Sequence, residues 1–257
     1  MSTIVPVSRQ RHGKTRLRSS ASYLFASQSS LAVLVAAEMS KAAMALPIAF
    51  IRQADAYLPV ALMSLKPDTN LMVAHDGRWL ARYVPSALHA YPFSLGKAEG
   101  DTRVLCVDED SGLLTDGIEG EPFFDVAGAA SDSLVRRLDL LRKIERSRLQ
   151  TGHACELLAS QELIRPWRIS ITEGASERQV EGLFQIDESV LNEISDEVFL
   201  ELRRLGALPM AYCQLLSMQN LPLLYELADA RRNRSSFASS GGDFSLQCDE
   251  QLRFDWG

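Results

Sequence analysis

The sequence predicts an α+β fold: a β-rich N-terminal half with short strands and hairpins, and a mostly helical C-terminal half with one hairpin. Three observations carry that reading. Residues 1–125 hold short apolar runs bracketed by proline and turn-forming pairs. From Ser131 to about Ser160, leucine and isoleucine recur at helical spacing. Between Trp167 and Ile186, apolar and polar residues alternate with the period of a strand.

Each element has its own justification. Ala36 to Ala45 reads as a helical piece that ends before Pro47, because the residue preceding a proline disfavours the helical conformation. Pro47-Ile48-Ala49-Phe50-Ile51 and Val60-Ala61-Leu62-Met63 have the length and flanking prolines of strands. Asn70–His75 and Arg78–Tyr83 flank Asp76-Gly77, a pair suited to the positive φ angles of a tight turn, and read as a hairpin. Val104-Leu105-Cys106-Val107 is a further short strand. Ser131 or Asp132 caps the long helix, which Gly152 is expected to bend or break. The segments 167–172 and 180–186 would pair as a hairpin across the polar gap 173–179.

Ser195 caps the next helix, with Asp196 and Glu197 in its first turn, Arg203 and Arg204 in its last, and Gly206 at its end. Val198, Phe199, Leu202 and Leu205 are its expected buried stripe. Leu208–Leu227 is apolar on nearly all sides, which predicts a helix covered by the fold or by another chain. Pro222 should begin a second helix or kink the first.

A chain of 257 residues with 46% hydrophobic and 23% charged residues is ordinary globular composition at the upper end of single-domain size. We expect one domain over 4–232, β-rich over 1–125 and helical over 126–232, followed by a flexible tail over 233–257. Collagen, a disordered chain and a polytopic membrane protein are excluded. No stretch has the ~20 apolar residues of a membrane span. The apolar run Leu31–Ala37 lies far from the start and is followed by Glu38 and Lys41, so it does not read as a cleaved signal. A cytoplasmic location is the expectation.

Charge is unevenly placed. Residues 1–37 carry five basic residues (Arg9, Arg11, Lys14, Arg16, Arg18) and no acid, whereas the whole chain has a net charge of −6. Such an arm either reaches for an anionic partner or lies against the acidic body of its own fold. The second reading is favoured, because the body would repel phosphate. The segment Asp108–Asp125 is acidic with no basic residue. Asp108, Asp110 and Glu119 match only part of a calcium-loop pattern, with Gly112 and Leu113 at positions that want a ligand and a glycine. A solvated loop, or one facing the arm, is the better reading.

Known chemistries find little support. Cys106, Cys155, Cys213 and Cys248 form no CxxC pair; Cys106 and Cys213 read as core residues in a reducing compartment. The sequence has no GxSxG elbow, HExxH helix, GxGxxG or phosphate-binding GxxxxGK[ST] loop. His12 belongs to the arm, His75 reads as a strand end and His153 as part of a solvated helix face. His89, just before Tyr91-Pro92-Phe93, is the histidine best placed for a pocket. No catalytic residue, metal ligand or cofactor is assigned. Trp79, His89 and Tyr91 are the candidate pocket. Leu216, Leu223 and Trp256 are the candidate interaction residues, the last because aromatic residues in an acidic tail can dock.

Several segments occur together in a familiar order: Arg9-Gln10-Arg11-His12-Gly13, Leu46-Pro47-Ile48-Ala49-Phe50, and Asn70-Leu71 with Asp76-Gly77-Arg78-Trp79. Tyr83-Val84-Pro85 leads to Tyr91-Pro92-Phe93, then come Leu105–Glu109, Gly182–Glu188 and Leu205-Gly206-Ala207-Leu208. In that order and spacing the chain resembles the SapC family of bacterial proteins over about residues 4–230. The resemblance implies a link to bacterial surface-array proteins or their export. It also implies gene neighbourhoods that hold halogenase-like and cupin-like proteins and outer-membrane receptors. The family's label as a transporter component fits poorly with a chain that lacks a span. No catalytic residues can be carried over. The leading expectation is a non-enzymatic accessory or interaction protein with an unidentified protein partner or a second copy of itself. The alternative is an enzyme, or an enzyme subunit working with peptide- or metabolite-modifying partners. A nucleic-acid-binding regulator ranks last.

Overall fold

The computed structural model describes residues 3–18, 22–97, 103–173 and 176–239. Strand β1 (Ile4–Pro6), helix α1 (Arg9–His12) and β2 (Arg16–Leu17) come first. β3 (Leu31–Val33) leads into α2 (Ala36–Ala43) and then into β4 (Ile48–Gln53) and β5 (Ala56–Leu62). Next are α3 (Ser86–Ala90), β6 (Phe93–Lys97), β7 (Arg103–Asp108), β8 (Leu114–Thr115) and β9 (Glu121–Pro122). The second half holds α4 (Asp132–Ser160), β10 (Ile164–Pro166), β11 (Ile169–Glu173), β12 (Ser176–Val180) and β13 (Leu183–Ile186). Helices α5 (Glu188–Asn192), α6 (Asp196–Arg204), α7 (Ala207–Ser217) and α8 (Leu221–Ser239) follow. The α+β reading holds, with strands concentrated in the first half and helices in the second.

The main sheet has the order β10-β13-β4-β5-β3, antiparallel throughout. Its central hairpin, β4–β5, turns at Ala54-Asp55 and buries Ile48, Ala49, Phe50, Val60, Ala61 and Leu62. Both strands are runs of consecutive buried residues, as expected for strands covered on two faces. Helix α2, the C-terminal part of α4 and α7 cover them. A smaller core forms around Leu17, Phe93, Val107, Phe123, Leu134 and Leu141, under the sheet β1-β7-β6. The 29-residue helix α4 joins the two cores. Leu134 and Leu141 pack into the smaller one, and Ala154, Cys155, Leu157 and Leu158 into the larger.

Polar side chains fasten α2 in place. The first backbone N–H groups of a helix have no partner within it. Here Ala36 N donates to Thr151 Oγ1 at 2.8 Å and Ala37 N to Ser147 Oγ at 3.1 Å, both from α4. At the other end Asn220 Nδ2 donates to Ala43 O at 2.7 Å.

Several expectations are corrected. Gly152 does not break α4, which runs without interruption from Asp132 to Ser160 and packs into a core at each end. The 70–83 segment makes a turn at Asp76-Gly77, but its pairing is a single bridge, Val73 to Trp79, rather than two strands. Residues 176–179, expected in a polar gap, form β12 together with Val180 and pair with β11. Gly182, at φ +80°, then redirects the chain, so that β13 joins the main sheet. The first half is therefore not a unit by itself: its central sheet is completed by β13 and β10 from the second.

In α6, Ser195 caps as expected, but only Leu202 is fully buried; Phe199 and Leu205 are exposed. Cys106 is buried, whereas Cys213 is half-buried. Pro222 lies in the first turn of α8, the position at which its missing N–H costs least. Helix α8 continues to Ser239, so residues 233–239, expected in the tail, are helical. Among the described residues no helix is long and apolar enough to cross a membrane.

Candidate functional site

The basic arm is built into the fold. β2 lies between β8 and β9, so the acidic segment embraces it on both edges. Arg11 makes a two-pronged contact with Glu109, Nε to Oε1 at 2.7 Å and Nη2 to Oε2 at 2.6 Å. This hydrogen bonding holds the Glu109 carboxyl below the usual carboxylate range. Thr15 and Arg16 reach Asp116 and the Gly120 carbonyl. His12, a member of that arm, is buried, in keeping with an arm that lies against the body of the fold. Asp108 and Asp110, weighed as cation ligands, accept hydrogen bonds from Tyr91 and Thr3 respectively. Among the described residues no group of three His, Cys, Asp or Glu side chains is placed to hold a metal ion.

A cavity of about 240 Å³ opens where the arm meets α3 and α4. Its lining includes Arg18, Tyr23, Phe25, His89, Tyr91 and Arg137. The structure thus brings His89 and Tyr91 together. Trp79 is outside the lining and touches it through Tyr23, whose ring centre is 5.4 Å away. The aromatic series continues: Tyr23 lies 5.9 Å from Phe25, and Phe25 stacks on Tyr91 at 4.4 Å. Trp79 Nε1 donates to the Tyr83 carbonyl at 2.8 Å. Tyr91 Oη donates to Asp108 at 3.1 Å. Burial first, and then that carboxylate, push the Tyr91 phenol up to about 12, so it stays protonated at neutral pH.

Sequence reasoning missed Tyr23, Phe25, Arg18 and Arg137 as cavity residues. Tyr23 and Phe25 are the aromatic residues nearest the arm in the sequence, which was the signal available for them. It also missed Glu38. This buried carboxylate accepts four hydrogen bonds, from Val35 N, Tyr83 Oη, Ser86 N and Ser86 Oγ, at 2.6–3.1 Å. It ties α2 to the start of α3, just ahead of His89 and Tyr91. Its interruption of the Leu31–Ala37 apolar run was the available signal.

Helix α7 buries polar as well as apolar residues and exposes two large ones. Its buried face includes Gln214 and Ser217. Gln214 Oε1 accepts from Ile186 N at 2.9 Å, and its Nε2 donates to Ile48 O at 3.2 Å. Ser217 Oγ accepts from Ile48 N at 2.9 Å. Its outer face carries Tyr212 and Leu216, 46% and 64% exposed. Of the two covers expected for 208–227, the fold by itself does not supply all of it, because tertiary hydrogen bonds draw Gln214 and Ser217 inward and leave Tyr212 and Leu216 exposed. Leu216 is exposed, Leu223 is half-buried against the main core, and Trp256 lies outside the described residues.

A wider recess of about 800 Å³ lies between α8 and residues 64–71. On its rim Arg231 donates to the Asn70 and Val73 carbonyls, both at 3.2 Å, and Tyr225 Oη to the Ser170 carbonyl. These groups serve the fold.

The family model SapC matches residues 7–224 of the chain. Neither a curated protein nor a solved structure matches it.

Proposed function

From the premise that this chain belongs to the SapC family, we propose that it is a non-enzymatic accessory protein that docks a protein partner on the outer face of α7. The observation that carries this reading is the exposure of Tyr212 and Leu216 on α7 while Gln214 and Ser217 are buried. Leu205, just before the helix, is exposed as well, and so are Phe199 and Leu200 on α6. Large apolar side chains gathered on neighbouring helices favour burial against another protein. The family link makes a bacterial surface-array protein, or a component of its export, the partner class; the cytoplasm as the place of action is the expectation drawn from the sequence.

The enzyme-subunit reading draws on the cavity beside His89. Its polar groups are chiefly hydrogen-bond donors, and Tyr91 is held protonated. Such a set favours binding over proton abstraction. The test uses a bacterium that encodes this chain, with the gene deleted and then restored as wild type or as the double variant Tyr212→Asp/Leu216→Asp. Deletion should lower the amount of surface-array protein on the cells, and only the wild type should restore it. Unchanged surface protein after deletion would remove the family-based part of the proposal. Full rescue by the double variant would remove the docking face.

A further inference from the structure

The cavity beside His89 has an unbalanced set of charges. Arg137 projects from α4 and is half-buried, with its guanidinium 5.5 Å from the centre of the Phe93 ring. Its Nε is buried and has no hydrogen-bond partner. The nearest carboxylate, Glu121, lies 3.7 Å from Nη2, beyond hydrogen-bond distance, and also accepts from the Ser133 hydroxyl. A buried donor without a partner is costly, and a ligand that supplied the acceptor would recover that cost. Arg18 reaches the same cavity from the arm and has no side-chain partner among the described residues. Among the lining residues two guanidinium groups stand against one carboxylate, Glu121, which leaves room for a single negative charge.

The rest of the lining selects shape. Tyr23, Phe25 and Tyr91 line it with aromatic rings, and Phe25 and Tyr91 stack on each other with their planes 21° apart. A ring sliding against such a wall gains area and favourable π-geometry. The volume of 240 Å³ equals that of about eight water molecules, enough for one small ring system with its acid group and too little for a nucleotide.

We propose that this cavity is a binding site for a small planar aromatic monocarboxylate. The guanidinium groups of Arg137 and Arg18 hold the carboxylate, and Tyr23, Phe25 and Tyr91 face the ring. Guanidinium forks match carboxylate geometry with paired hydrogen bonds, which a lysine cannot reproduce.

Isothermal titration of the full-length protein with indole-3-carboxylate, benzoate, cyclohexanecarboxylate and inorganic phosphate tests the site. The aromatic acids should bind, indole-3-carboxylate most tightly, and cyclohexanecarboxylate at least about threefold more weakly than benzoate. Arg137→Lys should weaken binding by roughly tenfold, as loss of charge-assisted hydrogen bonds requires. Arg18→Gln, an exposed position that leaves the fold intact, should weaken it in the same direction. Absence of binding at millimolar concentrations would overturn the proposal. So would phosphate binding as well as the aromatic acids, or an Arg18→Gln protein that binds like wild type.

Discussion

Across 97 residues of chain, His12 and Glu109 meet at 3.1 Å, and the geometry assigns the proton. Ser8 N donates to His12 Nδ1, so Nε2 carries the hydrogen and donates to Glu109 Oε1. The buried imidazole thereby secures the turn Arg9–His12 to the beginning of the acidic segment. Arg11 occupies both oxygens of the same carboxylate.

The first prediction concerns pH. The native Glu109 carboxyl is depressed by its hydrogen bonds with Arg11 and His12, whereas the unfolded chain releases its proton near about 4.3. A depressed native value stabilises the fold above the unfolded value. That contribution declines as pH falls through this range and is lost below the native value. The melting temperature of the wild type should therefore fall more steeply on acidification below about pH 5 than that of Glu109→Gln. Parallel melting curves for the two proteins would contradict the assignment.

Glu38 gives the second prediction. Each of its oxygens accepts one backbone N–H, Val35 N on Oε1 and Ser86 N on Oε2. An amide in its place must turn its NH2 toward one of those donors, whichever way it is flipped. Glu38→Gln should therefore destabilise nearly as much as Glu38→Ala, at least about 3 kcal/mol, since several buried donors lose their acceptor. Tyr83→Phe removes one donor and leaves three, and should cost about 1.5 kcal/mol. Chemical denaturation of the three variants measures the order. A Gln variant as stable as wild type would show that the carboxylate charge and both acceptors are dispensable.

These two networks mark where the sequence could and could not be read. Ser131 and Ser195 were visible as caps because capping is local: each hydroxyl accepts from the N–H three residues ahead, Leu134 and Val198. The helix to Ser160 was visible for the same reason, since its stripe repeats within a few turns. Glu38 with Ser86, His12 with Glu109, and Phe25 with Tyr91 join residues far apart in the chain, and no local pattern marks their meeting. Apolar composition showed that 208–227 would be helical and would need cover from the fold or from another chain. Which face would be covered depended on Gln214 and Ser217 finding Ile48 and Ile186.

The third prediction separates two tryptophans. Trp167 is buried in the main core, whereas Trp79 is half-buried and holds the Tyr83 carbonyl. Trp167→Ala should cost about 3–5 kcal/mol. Trp79→Phe keeps a ring beside Tyr23 and loses one hydrogen bond, a cost of about 1 kcal/mol. Urea unfolding of both variants tests the contrast, and equal losses would contradict the burial difference.

The last prediction tests the outer face of α7. Leu202 and Leu216 lie on successive helices, but Leu202 is fully buried and Leu216 is 64% exposed. A carboxylate at 202 would stand unpaired in the core, a change of the kind that unfolds a domain. At 216 it would stand in water, where substitutions usually change stability by less than about 0.5 kcal/mol. Leu202→Asp should therefore lose its circular dichroism signal at a temperature where Leu216→Asp keeps the wild-type spectrum. If a second copy of the chain covers the face, light scattering should show the mass of Leu216→Asp falling from dimer to monomer. If a different protein covers it, both wild type and variant should be monomeric, and only the wild type should hold that partner. An unfolded Leu216→Asp protein would mean that this leucine is covered by its own fold, contrary to the packing of α7 described above.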